Sequence, residues 1–302
     1  MNDLLKKHSD LVILDNQDLK HYTTFRIGGK GTILKILSTN SLKFFLKTAK
    51  EENIQYFILG GGSNLLINDG PLKRVFIKLE NEFKKVELIE KKENSVKLKV
   101  GAGVTLPSLS KLCMDMELEG TEFCISIPGT IGGAVIMNAG AHGNEMKDIV
   151  KKIYCFDGKG QEIELTNEEA GFSYRKSNLT NYLITFVEIE LRKGKKEKIK
   201  EKIQENIRYR ANTQPKGFSA GSVFKNPEGT KAWKLIREVG LSGFRINEVM
   251  FSEKHANFII NLGNGKAKDV IKLMSLARRK VKENFGINLE PEIKLLEIEL
   301  EE

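Results

Sequence analysis

Two uncharged, glycine-rich segments hold the residue types on which chemistry could be built. Residues 127–143 read IPGTIGGAVIMNAGAHG, and residues 59–66 read LGGGSNLL. In the first, glycine and alanine recur with neither the spacing of a helix face nor the alternation of a strand. Without a Cβ at Gly129, Gly132, Gly133, Gly140 and Gly143, backbone amides there can press against a flat or polyanionic ligand. The second follows the apolar run Tyr56-Phe57-Ile58, and a strand that runs into a glycine turn is a phosphate-binding arrangement. Neither segment is a GxGxxG fingerprint or a GxxxxGK[ST] loop, so a Rossmann or P-loop reading has no support. Either one alone reads equally well as a plain turn, because Gly and Asn favour turns on conformational grounds. Two in one chain argue for a ligand.

Four further segments occur with these two in a fixed order: TTFRIGG at 23–29, YRKS at 174–177, AGSVFKNP at 220–227 and LEPEIKL at 289–295. GGGSN followed by IPGTIGGAVIMNAGAHG resembles the flavin-cradling pair of FAD domains of the vanillyl-alcohol-oxidase type. Within that group, the six ordered segments are similar to the UDP-N-acetylenolpyruvoylglucosamine reductase family, and they cover nearly the whole chain. The resemblance implies an α+β fold, with a two-part FAD-binding domain and a C-terminal α+β substrate domain. Residues 1–80 would form the first FAD-binding subdomain, 81–195 the second and 196–289 the substrate-binding domain, with the strand 290–302 returning to the first. It also implies non-covalent FAD. The cradle would comprise Leu59, Gly60, Gly61, Gly62, Ser63, Asn64 and Leu65, together with Ile127, Pro128, Gly129 and Thr130. Gly132, Gly133, Ala134, Asn138, Gly140, Ala141 and Gly143 complete it.

The implied reaction is reduction of an enolpyruvyl ether: NADPH gives hydride to FAD, the reduced flavin gives it to the vinyl terminus, and the adjacent carbon receives a proton. The protein must then supply flavin placement, stabilisation of enolate charge and a proton donor. Ser222, in AGSVFKNP, matches the proton donor. A serine hydroxyl is a weak acid, so it serves only where a strongly basic centre forms against a held donor. Without the resemblance, Ser222 reads as a turn serine; no GxSxG elbow makes it a hydrolase nucleophile. Arg175, in YRKS, matches the electrophilic stabiliser, a permanent cation whose planar fork suits a carboxylate or enolate. Phe172 and Tyr174 beside it suggest a partly buried setting. Glu292, directly before the final apolar strand, matches the catalytic acid, with Glu290 as the competing choice. Tyr174, Lys225, Asn226, Lys254 and His255 are candidates for the UDP-sugar, because a nucleotide diphosphate needs several cations and amides. His255, beside Ala256 and Phe258, reads equally as a structural histidine.

The chain departs from the family pattern twice. The stretch after GLSGFR reads INEVMFS where a glycine is usual, and the longer tyrosine-bearing loop that some members insert after YRxS is missing. The second departure places the chain with the members that lack that loop.

The elements that must position these residues follow from periodicity. Leu42, Phe45, Leu46 and Ala49 share one face of a helix over 41–53, after a strand at 32–37. Strands are expected at 56–59, 75–79, 84–89, 95–100, 150–156, 162–165 and 183–191, with a turn at Asp157-Gly158. A helix over 107–117 carries Pro107 in its first turn. Beyond the charged segment 193–198, which reads as a domain boundary, come helices at 197–210, 231–239 and 266–285. Strands at 257–261 and 293–300 complete the pattern.

At 302 residues the chain is long enough for two or three domains. No apolar stretch approaches the roughly 20 residues of a membrane span, and MNDLLKKHSDL has acidic residues and no apolar signal core. A cytoplasmic monomer without a membrane partner is expected. Cys113, Cys124 and Cys155 are odd in number and lack CxxC spacing, so they read as reduced, buried thiols and no metal site is expected. The net charge of +9 reads mostly as solvated lysine face. Its densest cluster, RKGKKEKIKEKIQENIRYR at 192–210, interleaves glutamates and reads as an exposed helix with i,i+4 ion pairs. A nucleic-acid partner would want stacking aromatics among those charges, and Tyr209 is alone there. Two alternatives stand beside the main reading. One is another FAD-dependent oxidoreductase of the same fold acting on a small alcohol or sugar, with His142 as a tether for the flavin. The other is a basic nucleic-acid-binding protein whose glycine loops are turns. Release of flavin on denaturation separates the first, and a colourless protein would indicate the second.

Overall fold

The helix Thr39–Glu51 shows how local chemistry sets the elements. Ser38 caps it: its hydroxyl accepts from the Ser41 amide at 3.2 Å, and the Ser41 hydroxyl accepts from the Ser38 amide at 3.1 Å. Two donors at the helix start are thereby satisfied reciprocally. Leu42, Phe45, Leu46 and Ala49 are all buried, as their spacing requires. Each buried leucine or phenylalanine contributes about 1.5–3 kcal/mol.

The structure is a computed structural model that describes residues 8–300. The domain expectations beginning at residue 1 and ending at residue 302 reach residues 1–7 and 301–302, which lie outside the described residues. The chain divides into two compact units. The first holds the described residues up to Asp15, Thr32–Gly61 and Arg74–Arg210; the second holds Asn16–Gly31, Gly62–Lys73 and the residues from Ala211 onward.

A four-stranded sheet runs in the order Leu11–Asp18, Lys30–Ile36, Val75–Leu79, Tyr56–Ile58, and its last three strands are mutually parallel. In its register Lys35 lies opposite Lys78. The first unit adds an antiparallel sheet in the order Glu162–Thr166, Val150–Phe156, Leu183–Lys193, Ser95–Gly101, Val86–Lys91. Ile153, Val187, Ile189, Leu98 and Val100 are buried along its central strands. They join one continuous apolar cluster with Phe45, Leu109 and Ile131. The helix Leu106–Asp115 starts at Thr105, whose side chain accepts from the Ser108 amide, and it carries Pro107 in its first turn, where a missing N–H costs nothing.

The second unit has its own core, built from Phe224, Phe251, Leu273 and Met274 among others. It contains a small antiparallel sheet of Arg245–Ile246, Val249–Phe251 and Ile259–Asn261, and two helices, Ala232–Glu238 and Ala267–Phe285. The longer helix ends at Gly286, whose φ of 69° suits a left-handed cap. The strand expected at 293–300 is confined to Lys294–Leu296, paired in parallel with Leu65–Ile67. Glu297 at φ 54° breaks the extended backbone directly after it. Among the described residues, no helix is long and apolar enough to cross a membrane.

Candidate active site

Within the first unit, the two glycine segments meet. A Cβ on Gly61 would lie 2.7 Å from the Cα of Gly129, and one on Gly60 would lie 2.6 Å from Oγ1 of Thr130. Any side chain there would separate the two segments. The segment 127–143 is anchored from behind: Leu106 N donates to Gly129 O, Ile131 N to Val104 O and Gly132 N to Ala102 O. Against the expectation of an irregular loop, Ile131–Ile136 forms a short helix. Six residues are too few for a 3.6-residue period to be legible. Among the described residues, the amides of Gly60, Gly61, Gly129 and Gly133 donate to no protein acceptor, and Gly61 and Gly133 are exposed. Glycines that bring unpaired amides together are a cradle for a polyanion, so the residues present fit the diphosphate of a dinucleotide such as FAD. Gly143 is also exposed, and a Cβ on it would meet nothing within 4 Å.

The YRKS segment is tied to this cradle at three points. Ser173 and Lys176 exchange backbone hydrogen bonds across a tight turn, with Arg175 near its tip at φ 54°. Asn138 Nδ2 donates to Ser173 O at 3.0 Å, Ser177 Oγ to Ile136 O at 2.7 Å, and Arg175 Nη2 to Gly140 O at 2.8 Å. The Arg175 guanidinium also lies 5.1 Å from the centroid of Tyr174, which is exposed. Asn138, fully buried, additionally donates to Glu145 Oε2 and accepts from Lys147 N. Its side chain therefore holds the segment's own shape. His142 is exposed, with Nε2 3.2 Å from Ser126 Oγ and its ring edge-on to Tyr209. Desolvation, reinforced by Arg210, lowers its pKa.

In the second unit, AGSVFKNP and LEPEIKL lie side by side although some 65 positions separate them. Phe224 bridges Pro291 in antiparallel fashion, Glu292 N donates to Val223 O and Lys225 N donates to Glu290 O. On its other side the same segment is held by the Ser222–Phe258 bridge and by Val223 N donating to Asn257 O. Ser222 thus sits in a short three-stranded arrangement, with a half-buried side chain and a backbone fixed from Phe258. GGGSN and TTFRIGG also meet here. Thr24 N donates to Gly62 O, and a Cβ on Gly62 would lie 2.1 Å from Tyr22 O. Asn64 Nδ2 donates to Glu292 O at 3.0 Å.

Three candidates for substrate contact, Lys225, Asn226 and Lys254, are already engaged within the second unit. Lys225 pairs with Glu290, Asn226 Oδ1 accepts from Ala232 N at the start of Ala232–Glu238, and Lys254 Nζ donates to Ala211 O. His255 lies among Trp233 and Phe258 with its Nδ1 buried and unpartnered among the described residues, and burial lowers its pKa. After Ser177 only five residues precede the strand Leu183–Lys193, leaving no room for the longer tyrosine-bearing loop. Arg175 belongs to the first unit, Ser222 and Glu292 to the second.

One residue of the cradle had no signal in the sequence. Lys78, on the strand Val75–Leu79, donates from Nζ to Gly60 O at 2.6 Å. A lysine within an apolar strand reads as its solvent edge, and its reach back to the glycine turn depends on the parallel pairing of Tyr56–Ile58 with Val75–Leu79.

Such a fold and cradle define a flavin-binding protein: a family model described as FAD binding domain matches residues 33–166. A second, described as UDP-N-acetylenolpyruvoylglucosamine reductase, C-terminal domain, matches residues 214–296. The chain is 41% identical over 285 residues to the UDP-N-acetylenolpyruvoylglucosamine reductase of Clostridioides difficile (strain 630), covering 93% of this chain and 92% of that one. It is 43% identical over 280 residues to the enzyme of the same name from Rickettsia rickettsii (strain Sheila Smith), covering 92% and 93%. The crystal structure of the reductase from Thermus caldophilus superposes with a TM-score of 0.80 at 36% identity, over 95% of this chain and 98% of that one. The chain belongs to the UDP-N-acetylenolpyruvoylglucosamine reductase family, as the six ordered segments imply.

Proposed function

We propose that this FAD-dependent oxidoreductase uses NADPH to reduce UDP-N-acetylglucosamine enolpyruvate to UDP-N-acetylmuramate, a step of peptidoglycan precursor synthesis. The observation that carries the reading is the Gly61–Gly129 contact, which gathers unpaired glycine amides within the segment matched by the FAD-binding domain. Non-covalent FAD, when bound, supplies the hydride relay from NADPH to the vinyl carbon.

The chain's residues do the rest. Gly60, Gly61, Gly129 and Gly133 offer amides to the cofactor's anionic part. Arg175, through its planar guanidinium fork, stabilises the charge that builds on the substrate carboxylate as an enolate. Ser222 delivers the proton to the adjacent carbon, its alkoxide being reprotonated afterwards. Glu292 is the acid that supports it, a choice favoured by the exposure of the Glu290 side chain. Tyr174, Lys225, Asn226, Lys254 and His255 bind the UDP-sugar, with Lys225 exchanging Glu290 for a phosphate. The three-part division at 1–80, 81–195 and 196–289, with 290–302 returning to the first part, belongs to this proposal, as do a monomeric state and a cytoplasmic location.

The test is anaerobic. NADPH should bleach the flavin of the purified protein, and UDP-N-acetylglucosamine enolpyruvate should restore its colour stoichiometrically. A bleached flavin that this substrate leaves reduced would overturn the reading.

A further inference from the structure

Gly60 O and Gly61 N–H belong to one planar peptide unit and point in opposite directions. Whatever fixes the carbonyl therefore fixes the amide. In the first unit that carbonyl is held by Lys78 Nζ at 2.6 Å, while Gly61, whose amide has no acceptor among the described residues, packs against Gly129.

We infer that Lys78 is a positioning residue for the cofactor cradle, aiming the Gly61 amide and strengthening it as a donor to the anionic part of FAD. This rests on the flavin-binding reading above. The hydrogen bond from an ammonium polarises the peptide group, so the amide on its far side becomes the stronger donor. The positive charge also adds attraction for an anion. Lys78 is half-buried, and burial lowers its pKa, with Lys84 and Lys35 adding to the lowering and Glu80 opposing it. Holding a cation under these conditions costs stability, and a lysine that served only to fill space beside Gly60 could be a methionine.

Flavin-free protein should be titrated with FAD, following quenching of flavin fluorescence. Lys78→Met is expected to weaken FAD by about 10- to 100-fold, the range for one hydrogen bond to a charged group. Lys78→Arg keeps charge and donor and should stay within about threefold of the starting protein. The Met variant should keep the far-UV circular dichroism of the flavin-free protein and melt no lower than it does. A Met variant that binds FAD as tightly as the starting protein overturns the inference, as does an Arg variant that loses as much as Met. If Met fails to fold, Lys78→Gln, which keeps a neutral donor, should bind FAD less tightly than Arg and lose no more than the roughly 100-fold expected at most for Met; unchanged affinity for it again overturns the role. Failure of the unmutated chain to bind FAD would instead strike the flavin reading itself.

Discussion

Asn64 and Glu292, 228 positions apart, are tied on either side of Ile293: Asn64 Nδ2 donates to Glu292 O at 3.0 Å, and Asn64 O accepts from Lys294 N at 2.9 Å. Glu292 N is taken in turn by Val223 O. The backbone of the proposed acid is thereby fixed at its amide, its carbonyl and two residues on.

Asn64→Leu should remove one of these ties and leave the Glu292 carbonyl without its donor, at a cost of about 1–3 kcal/mol in urea unfolding. Its kinetic effect should be selective. Stopped-flow traces are expected to show reoxidation of the reduced flavin by substrate slowed about tenfold or more, with reduction by NADPH close to normal. Equal slowing of both steps would show that Asn64 acts through cofactor binding instead.

Gly133→Val tests the cradle without disturbing the packing behind it. A Cβ on Gly133 would meet only Thr130 Oγ1, at 3.9 Å, and the residue is exposed. The variant should fold with a stability within about 1 kcal/mol of the starting protein and should purify with little flavin. Gly61→Val, forced against Gly129, should lose both flavin and stability. Full flavin content in the folded Gly133 variant would move the cradle elsewhere.

Periodicity was enough to locate Thr39–Glu51 and Ala267–Phe285 within two residues, because long amphipathic helices carry their burial pattern in one stretch of chain. The strands 75–79 and 150–156 were legible for a similar reason. The pairings were not. That AGSVFKNP lies against LEPEIKL, or that Lys78 reaches Gly60, depends on which strands become neighbours, and one sequence holds no record of that. Leu65–Ile67 was missed as a strand because three residues show no alternation. Asn138 shows the same limit: no pattern in the glycine-rich run marks that its side chain bonds to Ser173, Glu145 and Lys147.

The thiols should make the fold sensitive to alkali. Cys113 and Cys155 are fully buried, and burial pushes each pKa up from 9.0 to about 11. Below pH 9 both folded and unfolded chains keep these protons and no contribution arises. Between pH 9 and 11 the unfolded chain releases them while the folded chain does not, so stability falls by up to about 1.4 kcal/mol per pH unit and thiol. Urea midpoints at pH 8.5 and 10.5 should therefore diverge more for the starting protein than for a Cys113→Ala, Cys155→Ala variant. Parallel shifts in the two proteins would mean that other groups govern the alkaline limb.

Ser222 offers the sharpest test, because a single proton is at stake and its backbone is independently held. The Phe258 bridge and the Val223–Asn257 bond fix the segment through main-chain atoms, so Ser222→Ala should remove a hydroxyl and leave the fold in place. Reduction of the flavin by NADPH needs no proton from this group and should be nearly unchanged. Reoxidation by the enolpyruvyl substrate should fall by at least the roughly 10²–10⁴ ascribed to a general acid. The loss should be larger still if hydride transfer is reversible until protonation commits it, since an unprotonated intermediate then returns to reactants. Ser222→Cys keeps a transferable proton in similar geometry and should retain more of the second step than alanine does. Stopped-flow reoxidation in the two variants decides the matter: an alanine variant that reoxidises at the unmutated rate would return Ser222 to a structural part and leave Glu292 as the proton source.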